Sequence, residues 1–235
     1  MIQPVPFQRF LLLGCLVAGF GVGGADGLLA KEPVPDVSPE GMRLQKGKDA
    51  RLVYLMPGAT FGKYQRVIIL DSDVEFAKNW QRDYNANVAG LQGRVTTQDM
   101  DRMKAAIAAE FKKVFTKELE TKGGYEVVDT PAPDVLLLRP AIIDLQVTAP
   151  DLQTADMRTT LVRSAGQMTL YLELWDSATN TILARIMDPQ EDESIGGVAK
   201  MASRGANKAA VDEMLGEWAE KLRKHLDAAR AAPGA

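Results

Sequence analysis

Apolar residues along this chain recur with two periods, and the order of those periods predicts the fold. From 97 to 121, Met100, Met103, Ile107, Phe111, Val114 and Leu119 fall on one helical stripe. Thr96 or Thr97 offers a side-chain oxygen to cap the start, and Gly123-Gly124 stops the run. Val211, Leu215, Trp218, Leu222 and Leu226 make a second apolar face, which predicts a helix over 207–229. Met168, Leu170, Leu172 and Leu174 alternate with Thr169, Tyr171, Glu173 and Trp175, the pattern of a half-buried strand. A turn over 176–180 leads to a hairpin partner at 182–187. Val67-Ile68-Ile69-Leu70, within 64–70, suits a buried strand. Residues 125–128 and 135–147 also read as strands, with Pro131, Pro133 and Pro140 breaking them up. The order is strand, helix, several strands, helix. It predicts an α+β fold, a two-layer sandwich with two long helices on one face of a mostly antiparallel sheet.

The N-terminus has a different pattern. Residues 10–25 carry no charge and end in Gly23-Gly24-Ala25, small residues of the kind a signal peptidase reads. The run is shorter than the ~20 apolar residues a membrane helix needs. Residues 1–25 are therefore expected to be a cleaved signal peptide, placing the protein in the periplasm or outside the cell. Leu12-Leu13-Gly14-Cys15 also has the form of a lipidation site, and lipidation of Cys15 would instead make an outer-membrane lipoprotein. Only then is a membrane a partner. The apolar run continues past Cys15, which favours simple cleavage. Residues 26–50, with Pro33, Pro35 and Pro39, read as an extended flexible tether. Residues 51–230 follow as a single domain, and 231–235 as a disordered tail.

Composition narrows the function classes. The chain has 235 residues, 46% hydrophobic and 25% charged, enough to bury a real core. Removing residues 1–25, whose one charged side chain is Arg9, leaves 27 basic and 31 acidic residues. A net acidic chain with no basic run argues against a nucleic-acid partner. Cys15 is the only cysteine, so the cleaved chain has no thiolate for a disulfide or metal site.

Few residues carry candidate chemistry. Gly19-Phe20-Gly21-Val22-Gly23-Gly24 matches a dinucleotide fingerprint in form, but no helix pattern follows it. Asp71, Asp73 and Glu75 alternate and would share a strand face, as a hard cation prefers, but further ligands are missing. Asp188, Glu191, Asp192 and Glu193 form a second acidic group, read as a solvated loop. His225 is the only histidine and sits at the margin of the last helix's apolar face. No catalytic, cofactor or metal site is expected. Phe76, Trp80, Tyr84 and Val88 recur every four residues, an aromatic ridge if helical. They lie in a long connection, 71–92. Trp80, Arg82 and Tyr84 are residue types enriched at binding hot spots, which makes them the candidate partner-binding set, against the competing reading that the aromatics cover the core.

Four stretches carry a likeness beyond these patterns. They are Pro57-Gly58-Ala59-Thr60-Phe61, Asn79-Trp80-Gln81-Arg82-Asp83-Tyr84, Pro133-Asp134-Val135-Leu136, and Leu172-Glu173-Leu174-Trp175-Asp176-Ser177-Ala178-Thr179. Over about residues 50–229 the chain resembles an uncharacterised bacterial family of envelope lipoproteins, catalogued as domain of unknown function 3313. The resemblance implies an envelope location and a lipoprotein habit, and brings no catalytic residues. The expectation is an exported, non-catalytic binding or accessory module for another envelope protein or polymer. The alternative is a carboxylate-based hydrolase, which would need two converging carboxylates with displaced pKa values.

Overall fold

The structure is a computed structural model that describes residues 34–46, 50–88, 93–147, 160–162, 166–191, 200–202 and 204–232. The chain divides into two units, Met1–Val34 and Pro35–Ala235, and only Val34 of the first is described. The expected signal and Cys15 therefore lie outside the described residues. So do Asp192 and Glu193.

In chain order the elements are β1 (Arg43–Gln45), β2 (Leu52–Leu55), β3 (Arg66–Ile69), β4 (Asp73–Phe76), α1 (Trp80–Ala86), α2 (Thr97–Thr121), β5 (Glu126–Val127), β6 (Val135–Val147), β7 (Thr160–Val162), β8 (Gly166–Asp176), β9 (Thr181–Glu191), β10 (Lys200–Ala202) and α3 (Arg204–Ala231). Eight strands form one sheet in the order β1-β2-β9-β8-β6-β3-β5, with β4 also paired to β6. Pairs from β1 across to β6 are antiparallel. β3 and β4 join β6 in parallel, and β5 joins β3 in parallel. β7 and β10 pair separately. The α+β class and mostly antiparallel sheet are as the sequence pattern predicts.

Local chemistry sets the element ends. Thr96 caps α2 by accepting from the Asp99 N–H at 3.1 Å, while Asp99 accepts from the Thr96 N–H at 2.8 Å. The β8–β9 turn is held by Asp176, whose Oδ1 accepts from the N–H groups of Ala178 and Thr179. Residues of α2 and α3 share one core with the inner faces of the strands. Fully buried within that core are Phe111, Phe115, Leu119, Leu136, Leu138 and Leu215, among others.

Four expectations are corrected. Pro140 does not interrupt β6. The Leu138 carbonyl accepts from the Leu70 N–H on the β3 side, so the nitrogen two residues on faces the same way. There it meets the break between β3 and β4, where no ladder bond is lost. The expected tether is folded from 35 to 46: Val37 bridges Arg43, β1 pairs with β2, and Met42 is fully buried beside Tyr54 and Ile182. The connection 71–92 is not one long loop, because β4 and α1 occupy much of it; Phe76 lies on β4, so the aromatic ridge runs from strand to helix. The acidic segment at 188–191 is not a loop but the end of β9, and Asp188 is buried.

The sheet's second face is also less open than alternation implies. Glu173 is buried there, accepting from Tyr171 Oη, Trp175 Nε1 and the Arg185 guanidinium. Arg185 also donates to both Glu40 oxygens, at 3.0 and 3.2 Å, and so ties the 35–46 segment to this face.

Candidate functional site

Of the expected partner-binding residues, the fold brings Trp80 and Tyr84 together and leaves Arg82 apart. Trp80 opens α1 and is 8% exposed, stacked between Phe76 at 4.5 Å and Tyr84 at 5.5 Å. That is a core position. Arg82 is exposed and pairs with Asp83 at 2.9 Å, and Tyr84 is half-buried. A hollow of about 350 Å³ adjoins them, lined by Ala77, Lys78, Trp80, Asp83, Tyr84 and Gln146 among others.

The carboxylates of the other candidate set do not converge. Asp71 meets Lys112 at 2.8 Å and Glu75 meets Lys104 at 3.0 Å, so the lysines of α2 spread them along its flank. Asp73 is exposed. Among the described residues, no three His, Cys, Asp or Glu side chains gather as a metal site needs.

A different feature dominates the space between sheet and helices. An apolar cavity of about 360 Å³ opens between the inner faces of β2, β8 and β9 and the flank of α3. Its presence follows from the widths of the layers. Strands lie ~4.8 Å apart and packed helices ~8–10 Å apart, so two helices cover about four strands. The longest sheet path has seven. α2 packs against α3 and against β4 and β5, which leaves the β2–β9 side for α3 alone. Val53, Leu55 and Ile186 are only half-buried there, whereas Leu170, Leu172 and Leu174 form a fully covered wall.

Four polar or ionisable side chains line this cavity: Gln45, Asp188, Lys221 and His225. Asp188 accepts from Trp218 Nε1 at 2.9 Å through Oδ2 and from the Arg51 N–H at 3.1 Å through Oδ1. Lys221 Nζ is 3.6 Å from Asp188 Oδ2. His225 is exposed and, with exposed Gln45, marks the mouth. The sequence pattern placed His225 at the helix margin, put Asp188 in a solvated acidic loop and did not single out Lys221 as a site residue. A signal for both was present. Asp188 continues the inward period-two series of Ala184 and Ile186, and Lys221 follows Trp218 by three, on the same helical side.

Ionisable groups elsewhere act as fasteners. Burial pushes the Asp176 carboxyl up, but Lys63 at 2.6 Å, the Thr179 N–H and Tyr64 Oη together hold it well below the usual carboxylate range. Arg185 lowers Glu40 by direct hydrogen bonding. Burial, reinforced by Asp176, raises the Tyr64 hydroxyl.

Comparison with known proteins adds a family and some distant likenesses. A family model described as "Protein of unknown function (DUF3313)" matches residues 38–222. Among curated proteins, none matches this chain. The PelC dodecamer from Paraburkholderia phytofirmans is similar at 11% identity and a TM-score of 0.38, over 73% of this chain and 96% of that one. Protein XCC0632 from Xanthomonas campestris is similar at 14% identity and a TM-score of 0.42, over 73% of this chain and 89% of that one. Among the described residues, no helix is long and apolar enough to cross a membrane.

Proposed function

This chain belongs to the DUF3313 family, and we propose that it is a non-catalytic binding module exported to the bacterial envelope, taking its ligand in the cavity beside α3. The observation that carries this reading is the cavity itself. Its volume lies within the ~300–1,000 Å³ typical of ligand sites, and a mostly apolar wall with a few polar groups is the usual lining of such sites. Export rests on the charge-free run at 10–25. The partner that supplies or receives the ligand is then another envelope protein or polymer.

The hydrolase alternative has less support. Asp188 is the one carboxylate among the cavity's lining residues, whereas a carboxylate pair is what such chemistry needs. Wherever a carboxylate pKa is displaced among the described residues, as at Glu40, Asp99, Glu118 and Asp176, it is displaced downward. A general acid needs the opposite displacement.

The reading is tested with an apolar dye, N-phenylnaphthylamine, whose fluorescence rises when it is buried. The folded protein should bind it saturably, one dye per chain. Val53→Phe, which fills the cavity from its half-buried side, should abolish that binding and leave the melting temperature nearly unchanged. Unsaturable binding, or binding indifferent to Val53→Phe, would place the ligand elsewhere and remove the basis of the proposal.

A further inference from the structure

The cavity's chemistry restricts what it can hold. Its sheet wall is Leu170, Leu172, Leu174 and Ile186, and its helix wall is Trp218 and Leu222. The Trp218 N–H is already donated to Asp188. A sugar, nucleotide or peptide backbone placed along these walls would lose its water without gaining hydrogen bonds, at about 1–3 kcal/mol for each unsatisfied group. A hydrocarbon chain loses nothing of that kind. At ~30 Å³ for a water-sized group, 360 Å³ holds about a dozen such groups, and a methylene is close to that size.

The mouth restricts the other end of the ligand. Asp188 has both oxygens engaged by N–H donors, Oδ1 by the Arg51 N–H and Oδ2 by Trp218 Nε1. Lys221 forms an ion pair with it across 3.6 Å, longer than a hydrogen bond, so the ammonium keeps donors for a second acceptor, and 40% of its side chain is exposed. His225 stands at the same mouth. The group best matched to a partly exposed ammonium at the end of an apolar chamber is an anionic head group.

Building on the reading of the cavity as a binding chamber, we infer that its ligand is a single acyl chain of about a dozen carbons ending in a carboxylate. The hydrocarbon lies between the sheet wall and α3, and the carboxylate lies against Lys221.

Displacement of the bound dye by straight-chain carboxylates of increasing length tests this on the full protein recovered from the envelope fraction. Affinity should rise about fourfold per added methylene, as expected for burying each one, and level off once the chamber is full. The matching alcohols should bind more weakly, by up to about fivefold, the range of a partly exposed ion pair. Lys221→Met keeps the apolar stem and should erase the preference for acid over alcohol without lowering the melt. Dye binding that no carboxylate displaces would overturn the acyl-chain inference and leave the binding chamber standing. Failure of the dye itself to bind would remove both. Equal binding of acid and alcohol to the native protein would also overturn the inference. So would stronger displacement by vesicles of two-chain phospholipid, or displacement that fades as protein concentration rises, which would assign the cavity to a second copy of the chain.

Discussion

At the β3–β5 end of the sheet, α2 lays Phe111 and Phe115 face to face at 3.9 Å, and both rings are fully buried against the strands. At the β2–β9 end, the same sheet meets α3 across a cavity of about 360 Å³. Both regions are lined by residues of one continuous core, so hydrophobicity does not distinguish them. Side-chain volume and layer width do. The filled end has stacked aromatics under a helix that sits over its strands. The hollow end has aliphatic strands reaching past the last helix. Protein interiors are normally close-packed, and walls that face empty space forfeit dispersion contacts. A void of this size therefore works against stability and is better understood through what it admits.

The contrast is broken most directly by truncation. Phe111→Ala should destabilise by about 3–5 kcal/mol, because its neighbours cannot collapse into the space it leaves. Leu222→Ala, at the hollow end, should lie near the ~2 kcal/mol lower limit for such a truncation, since one side of Leu222 already faces the cavity. Thermal melts of the two variants check the difference, and equal losses would mean that the cavity is closed in solution. Trp80→Ala should also lower the melt, as expected of a buried aromatic stacked on both sides.

The next effect sharpens the account of the cavity wall. Asp188→Ala leaves the buried Trp218 N–H and the Arg51 N–H without their acceptor, a loss of about 1–3 kcal/mol. The Trp218 fluorescence maximum should shift with it. An unchanged spectrum and melt would mean that Asp188 does not hold the indole.

Much of the filled end was legible in the sequence. The 97–121 stripe, its threonine cap and the 176–180 turn are local patterns, and each formed where it was expected. Phe115 escaped the stripe, although it is as buried as Phe111. The hollow end was illegible for a physical reason. Val53, Leu172, Ile186 and Leu222 come from four elements of which only the β8–β9 hairpin is local in sequence, and the space among them depends on how many strands two helices can cover. No window of the chain encodes that count. β1 escaped because a proline-rich stretch read as tether, while its folding depends on distant partners, Arg185 above all. Trp80, Arg82 and Tyr84 were singled out together by residue type, although the four-residue spacing already put Trp80 and Tyr84 on one side of a helix and Arg82 off it.

A smaller, pH-dependent effect separates fasteners from cavity. The Asp176 carboxyl is held below its ordinary value of 3.8 in the folded chain. A lowered folded pKa gives stability that is complete above the ordinary value and is lost as pH falls below it toward the folded one. Acid titration of the melt should therefore show a steep loss below about pH 4. Asp176→Asn should flatten that limb, whereas Lys221→Met should leave it in place. A limb that Asp176→Asn does not alter would assign acid sensitivity to other carboxylates.

On the proposed reading, the hollow end is a binding chamber and the filled end is not. Methyl-resolved NMR, with N-phenylnaphthylamine titrated into the protein, tests it most directly. Ring-current shifts should appear at Val53, Leu55, Leu172, Ile186 and Leu222, while Leu119, Leu136 and Leu138 stay silent. Shifts confined to methyls near Trp80, or spread evenly over both ends, would contradict it.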